Sequence, residues 1–117
     1  MANIGIDIIE INRIKKAIQR FEKTFLSKIF TEKEQAYCEQ FKSLKYEKYA
    51  ARFAVKEAVA KVIQEGPKHF WTYIEVDKKE NGAPTLNLLG PLENEGPIQI
   101  SLSHCKDYAV GIANRLS

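Results

Sequence analysis

The sequence predicts an α+β fold, and three observations carry the prediction. Residues 3–9 alternate as a strand does, with Ile4, Ile6 and Ile8 on one face and Gly5, Asp7 and Ile9 on the other. Between Glu10 and Gln64 the apolar residues recur instead at helical spacing. Beyond residue 70 the pattern returns to short strands separated by turn residues. The expected architecture is an N-terminal strand, three helices including one long buried helix, and then antiparallel strands, within one domain spanning residues 1–117.

The opening strand, about Asn3 to Ile9, carries an acid where acids are disfavoured. Asp7 on the solvent face of an edge strand would need no explanation, but Ile9 shares its face. Ile11, Ile14, Ile18, Phe21 and Phe25 then mark the apolar stripe of an amphipathic helix. Beside that stripe Arg13, Lys16, Arg20 and Lys23 form a basic ridge with only Glu22 near it, fitting either a solvated face or an acidic partner. Thr31-Glu32-Lys33-Glu34 has the capping-box pattern, starting a helix that runs to about Phe41 and buries Tyr37 or Phe41.

Residues 42–45 link to the long helix, Tyr46 to Gln64. It contains neither Gly nor Pro, and Ala50, Ala51, Ala54, Ala58 and Ala60 among Val55, Val59, Val62 and Ile63 make it apolar over most of its circumference. Gly66-Pro67 supplies its stop. Trp71 to Asp77 and Pro84 to Leu89 are strands joined by a tight hairpin turn at Asn81-Gly82. After a loop from Gly90 to Gly96, Ile98 to His104 and Tyr108 to Asn114 form a second hairpin around Cys105-Lys106-Asp107.

With 44% hydrophobic and 28% charged residues the chain is an ordinary globular one, neither disordered nor fibrous. No apolar run approaches the roughly 18 residues of a membrane span, and no secretion signal is present, so a cytoplasmic protein is expected. Cys38 and Cys105, with only His69 and His104 beside them, lack the spacing of a structural zinc site and are expected to be reduced thiols. Nucleotide-binding glycine loops and the hydrolase elbow are absent. His104 and Cys105 are neighbours on a strand, point to opposite faces and do not easily share a proton.

Glu57 is the remaining anomaly, an acid in the most apolar helix, on one stripe with Phe53, Ala54 and Lys61. A structural ion pair with Lys61 or Lys56 would account for it alone. Taken with Asp7 it forms a pair of oxygen ligands of the kind Mg²⁺ takes, with water and substrate phosphate completing the shell.

Four segments, in this order and at this separation, resemble one family. Gly5-Ile6-Asp7-Ile8-Ile9-Glu10-Ile11, Phe30-Thr31-Glu32-Lys33-Glu34, Arg52-Phe53-Ala54-Val55-Lys56-Glu57-Ala58 with Lys61, and Ser101-Leu102-Ser103-His104 are similar to the holo-acyl-carrier-protein synthases, the small bacterial 4′-phosphopantetheinyl transferases. The resemblance implies transfer of the phosphopantetheine arm of coenzyme A to a serine of apo acyl carrier protein, in support of fatty acid biosynthesis. It implies that Asp7 and Glu57 hold Mg²⁺ as catalytic residues together with Lys61. Arg52, Lys61 and His104 would meet the coenzyme A phosphates, and Asn81, Gly82 and Pro84 its adenosine end. Arg13, Lys16, Arg20 and Lys23 would receive the acidic carrier protein, and the family's trimeric assembly would follow. One departure is the turn closing the long helix, which reads Val62-Ile63-Gln64-Glu65-Gly66 where the family is glycine-rich.

Two other classes compete. A net charge of +3 and a basic helix also fit a nucleic-acid-binding module, although such a protein has no need of two acids in apolar surroundings. A non-catalytic carrier-docking domain would keep the ridge and lose the metal site.

Overall fold

The computed structural model describes residues 3–63 and 70–116. The stop at Gly66-Pro67, His69, and residues 64–66 of the atypical turn lie outside the described residues. The architecture is α+β. In chain order it comprises β1 (Ile4–Glu10), α1 (Ile11–Ile29), α2 (Glu32–Glu39), α3 (Lys45–Val62), β2 (Ile74–Lys78), β3 (Pro84–Leu88), β4 (Ile98–His104) and β5 (Tyr108–Arg115). The strands form two antiparallel sheets, one ordered β1-β5-β4 and the other β2-β3.

α3 is the spine, packing across the inner face of the three-stranded sheet. One part of its buried surface, around Tyr49, Ala50 and Ala51, meets Ile11, Ile14 and Ile18 of α1 together with Phe30 and Cys38. The other, around Val55, Ala58, Val59 and Val62, meets Ile74, Val76, Leu92 and Ala113. Two glycines permit the close approach: a Cβ on Gly5 would stand 2.1 Å from the Ala58 carbonyl oxygen, and one on Gly111 would stand 2.4 Å from the Val55 nitrogen. Any side chain there would push helix and sheet apart.

That contact decides which face of β1 turns inward. Gly5, Asp7 and Ile9 face α3, whereas Ile4, Ile6 and Ile8 are 61, 56 and 66% exposed. β1 is indeed an edge strand, but its solvent face is the isoleucine face and Asp7 is on the other.

The capping box forms as the sequence predicts: Thr31 Oγ1 accepts from Glu34 N at 3.2 Å, and Thr31 N donates to Glu34 Oε1 at 2.9 Å. α2 ends at Glu39, before Phe41, and its buried residues are Glu34 and Cys38; Tyr37 and Phe41 are half-buried. Glu34 turns inward because Lys56 awaits it. Their ion pair measures 2.7 Å, with both side chains 0% exposed. The other Glu34 oxygen accepts from Val76 N at 2.8 Å, and Lys56 Nζ also donates to the carbonyls of Trp71 (2.8 Å) and Ile74. Burial draws the Lys56 ammonium below its ordinary value, and Glu34 opposes that shift. Lys56 is therefore no partner of Glu57.

Three further expectations are corrected. Trp71–Tyr73 is a 3₁₀ turn rather than strand, its Trp71 carbonyl taken by Lys56. The first hairpin is looser than a two-residue turn: Gly82 N donates to Lys79 O, Lys79 N to Ala83 O, and Gly82 sits at φ +88 as the left-handed residue of the bulge. α1 is kinked at Glu22 (φ 47, ψ −126), which shifts the phase of its apolar stripe. Ile11, Ile14, Ile18 and Ile29 are buried and Phe25 partly so, but Phe21 is 51% exposed under the Arg20 guanidinium.

Candidate active site

Two cavities flank α3. In the first, of about 380 Å³, Asp7 and Glu57 face one space with Arg13 and the apolar groups Ile9, Ile14, Phe25 and Phe53. Asp7 reaches it because it occupies the inner face of β1, paired in register with Gly111, against which the helix packs closely. Glu57 is half-buried, not fully buried as its apolar helix implies, because it borders the open space. Loss of water raises the Asp7 carboxyl above its usual range, with Lys61 pulling the other way. Glu57 is raised by burial and further by the like charge of Asp7. Lys61, whose Nζ stands 3.8 Å from Asp7 Oδ1 and donates to the Ile6 carbonyl, is the compensating charge.

The second cavity, of about 390 Å³, is rimmed by cations. Arg52, Lys48 and Lys78 supply the charge, and His104, Tyr37, Gly82, Pro84, Ser101 and Ser103 line it with the acids Glu47 and Asp77. Arg52 is only 6% exposed, yet among the described residues it forms no salt bridge, and its Nε has no hydrogen-bond partner. Its guanidinium lies 4.2 Å from the Tyr37 ring centroid, and Lys78 Nζ lies 4.6 Å from the same ring. His104 Nε2 stands 3.4 Å from Glu47 Oε2, while Asp77 is taken by Lys33 at 2.6 Å.

The model of the 4′-phosphopantetheinyl transferase superfamily matches residues 3–113. The chain belongs to this superfamily. Its relatives include the holo-[acyl-carrier-protein] synthases of Ruminiclostridium cellulolyticum, 42% identical over 94% of this chain and 88% of the relative, and of Chlamydia muridarum, 43% identical over 97 and 93%. Among solved structures, the Helicobacter pylori synthase in complex with coenzyme A superposes with a TM-score of 0.79 at 30% identity, covering 95% of this chain and 97% of that one. The Bacillus anthracis synthase, described as in complex with CoA (3′,5′-ADP), gives 0.79 at 36% identity over 95 and 92%.

In this phosphopantetheinyl transferase the structure brings Asp7, Glu57 and Lys61 together, and separately Arg52, Gly82, Pro84 and His104. Lys61 stands with the carboxylates and does not line the cation-rimmed cavity. Asn81 does not line that cavity either; its side chain accepts from Ala83 N at 3.0 Å and so shapes the turn. Arg13, Lys16 and Arg20 are exposed along α1, and Arg13 reaches the carboxylate cavity. Lys23 follows the Glu22 kink, so the ridge does not continue through it as one straight line.

Sequence reasoning missed Tyr37, Glu47, Lys48 and Lys78. Lys48 was findable, one turn before Arg52 on the same helix stripe. Glu47 is the residue before Lys48 on the same helix, while Tyr37 comes from α2 and Lys78 from β2, and only the tertiary fold brings those two to Arg52. Both cysteines are free; burial pushes the Cys38 thiol up to about 12, so it is inert.

Proposed function

We propose that this chain is a holo-[acyl-carrier-protein] synthase: it transfers the 4′-phosphopantetheine group of coenzyme A to a serine of apo acyl carrier protein and releases adenosine 3′,5′-bisphosphate. Arg52 carries the reading, as a buried cation that forms no salt bridge among the described residues, in a cation-rimmed cavity of a chain whose relatives are holo-[acyl-carrier-protein] synthases. A buried charge left unpaired is costly, and an anionic ligand removes that cost.

Arg52 and His104 bind the coenzyme A phosphates, Lys61 meets them at the carboxylate end, and Gly82, Pro84 and the Asn81-shaped turn border the adenosine. Asp7 and Glu57 are hard oxygen donors carrying more negative charge than Lys61 offsets, which fits Mg²⁺. Among the described residues no cluster of three or more metal-binding side chains occurs, and Mg²⁺ accepts two carboxylates with water and phosphate. When bound there, the ion neutralises charge on the phosphates. One of the two carboxylates, directly or through a bound water, accepts the serine proton as the serine oxygen bonds to phosphorus and the bond to adenosine bisphosphate breaks.

Arg13, Lys16 and Arg20, with Lys23 as a minor contributor, receive the acidic carrier protein. We read the assembly as a homotrimer in the cytoplasm, serving fatty acid synthesis. Supporting an assembly is the outward face of β1 and β5, where Ile4, Ile6, Ile8 and Ile112 are exposed and Ile6 pairs with Ile112. Incubation with coenzyme A, Mg²⁺ and apo carrier protein tests the reading: the carrier should gain the mass of the phosphopantetheine arm, and chelation should stop it. Carrier binding without a mass gain would leave only a docking domain.

A further inference from the structure

The Glu34–Lys56 pair does more than fill the interior. Lys56 Nζ has three N–H donors and three acceptors: Glu34 Oε1 and the carbonyls of Trp71 and Ile74. Glu34 in turn accepts from Thr31 N and Val76 N. Thr31 Oγ1 donates to Glu75 at 2.7 Å, and Asn87 donates to the other Glu75 oxygen at 2.9 Å. One closed polar junction therefore ties the start of α2, the middle of α3, the 3₁₀ turn and the β2-β3 hairpin.

Every wall of the cation-rimmed cavity except its β4 side hangs from this junction. Tyr37 lies one turn after Glu34 on α2, Arg52 one turn before Lys56 on α3, and Asp77 and Lys78 directly follow Val76 on β2. The Tyr37 ring stands near both Arg52 and Lys78, so a rotation of α2 would move the surface that both cations lie against. The junction also reaches the carboxylate cavity. Trp71, held through its carbonyl by Lys56, stacks on Phe53 with centroids 5.6 Å apart and planes 18° apart, and Phe53 lines that cavity.

We propose that Glu34 and Lys56 are positioning residues for the transferase site, holding Arg52, Tyr37 and Lys78 in the geometry that binds coenzyme A. This inference rests on the assignment of coenzyme A to the cation-rimmed cavity. A charged pair satisfied at every donor and acceptor has one geometry, whereas an apolar replacement slides more freely.

Glu34→Gln/Lys56→Met removes both charges at similar size. Circular dichroism reports folding, Trp71 fluorescence reports the 3₁₀ turn because it is the chain's one tryptophan, and calorimetry measures coenzyme A binding. Positioning requires a folded protein with shifted emission and coenzyme A affinity at least about tenfold weaker, or about 1.4 kcal/mol. A folded double variant that binds within twofold of the native protein overturns it. Should the double variant fail to fold, Glu34→Gln alone keeps an oxygen for Lys56. Its affinity should then fall about threefold with a smaller emission shift, and unchanged affinity again overturns the proposal. Arg52→Ala separates the two layers: unchanged coenzyme A affinity there sinks the cavity assignment and the positioning role with it. Loss in Arg52→Ala without loss in the pair variants sinks positioning alone.

Discussion

Asp7 and Glu57 face one cavity beside the same helix that buries Lys56 against Glu34, and the two sets of charges are kept in opposite ways. The Glu34–Lys56 junction is sealed, with each polar atom matched inside the protein. The Asp7–Glu57 pair is half-open, with a like charge raising Glu57 and, among the described residues, only Lys61 in a salt bridge with either acid. Glu57 is the next residue after Lys56, so the difference comes from which direction each side chain leaves the helix. Matched charges fix the scaffold; unmatched ones mark where something from outside binds.

The sharpest break of this contrast is a substitution on each side. Asp7→Ala or Glu57→Ala should lower turnover by about 10³-fold with the melting temperature nearly unchanged, since removing one acid also relieves repulsion. Activity near the native level at saturating Mg²⁺ would remove the residue from the site. Lys56→Met should behave conversely, losing about 3–5 kcal/mol of stability because Glu34 is stranded in the interior. Denaturant titration checks it, and a loss below 1 kcal/mol, roughly that of an exposed pair, would show that the junction is not sealed.

A smaller effect concerns the ridge that leads to the open pair. Arg13→Glu/Arg20→Glu should raise the Michaelis constant for apo carrier about tenfold and flatten its salt dependence, while coenzyme A binding is nearly unaltered. Lys23→Glu, beyond the kink, should do much less. If the affinities for both substrates fall together across a salt series, the ridge is diffuse charge and not a docking surface.

The smallest effect is on pH. Asp7 and Glu57 have folded values raised above their ordinary 3.8 and 4.5, so between those values and the raised ones the folded chain holds more protons. Stability from these groups is then greatest at low pH and falls as pH rises through that window. Without metal, the melting temperature of the native protein relative to Asp7→Asn/Glu57→Gln should decline from pH 4 towards 7. An opposite slope would mean that Lys61 dominates both acids.

Much of the fold was legible because local chemistry and fold agree: the capping box at Thr31, the Gly/Pro-free run of α3 and the turn around Cys105 all form. Asp7 and Glu57 were legible as acids in the wrong company. The direction of β1 was not, because alternation is symmetric and only the contacts of Gly5 with α3 break the tie. The Glu22 kink carries no Gly or Pro to announce it. Lys56 read as a candidate partner of Glu57 because Glu34, far away in sequence, becomes its neighbour only in three dimensions.

The place of β5 in the sheet has a consequence during synthesis. β5 is the middle strand, pairing with β1 on one side and β4 on the other, although it follows the other four described strands in the chain. Until it leaves the ribosome, β1 has no hydrogen-bonding partner, and its backbone edge stays open. Closing the sheet joins the two most distant parts of the described chain, a slow kind of contact, so the nascent protein passes through an interval of open strand edges that ends when β5 pairs with β1.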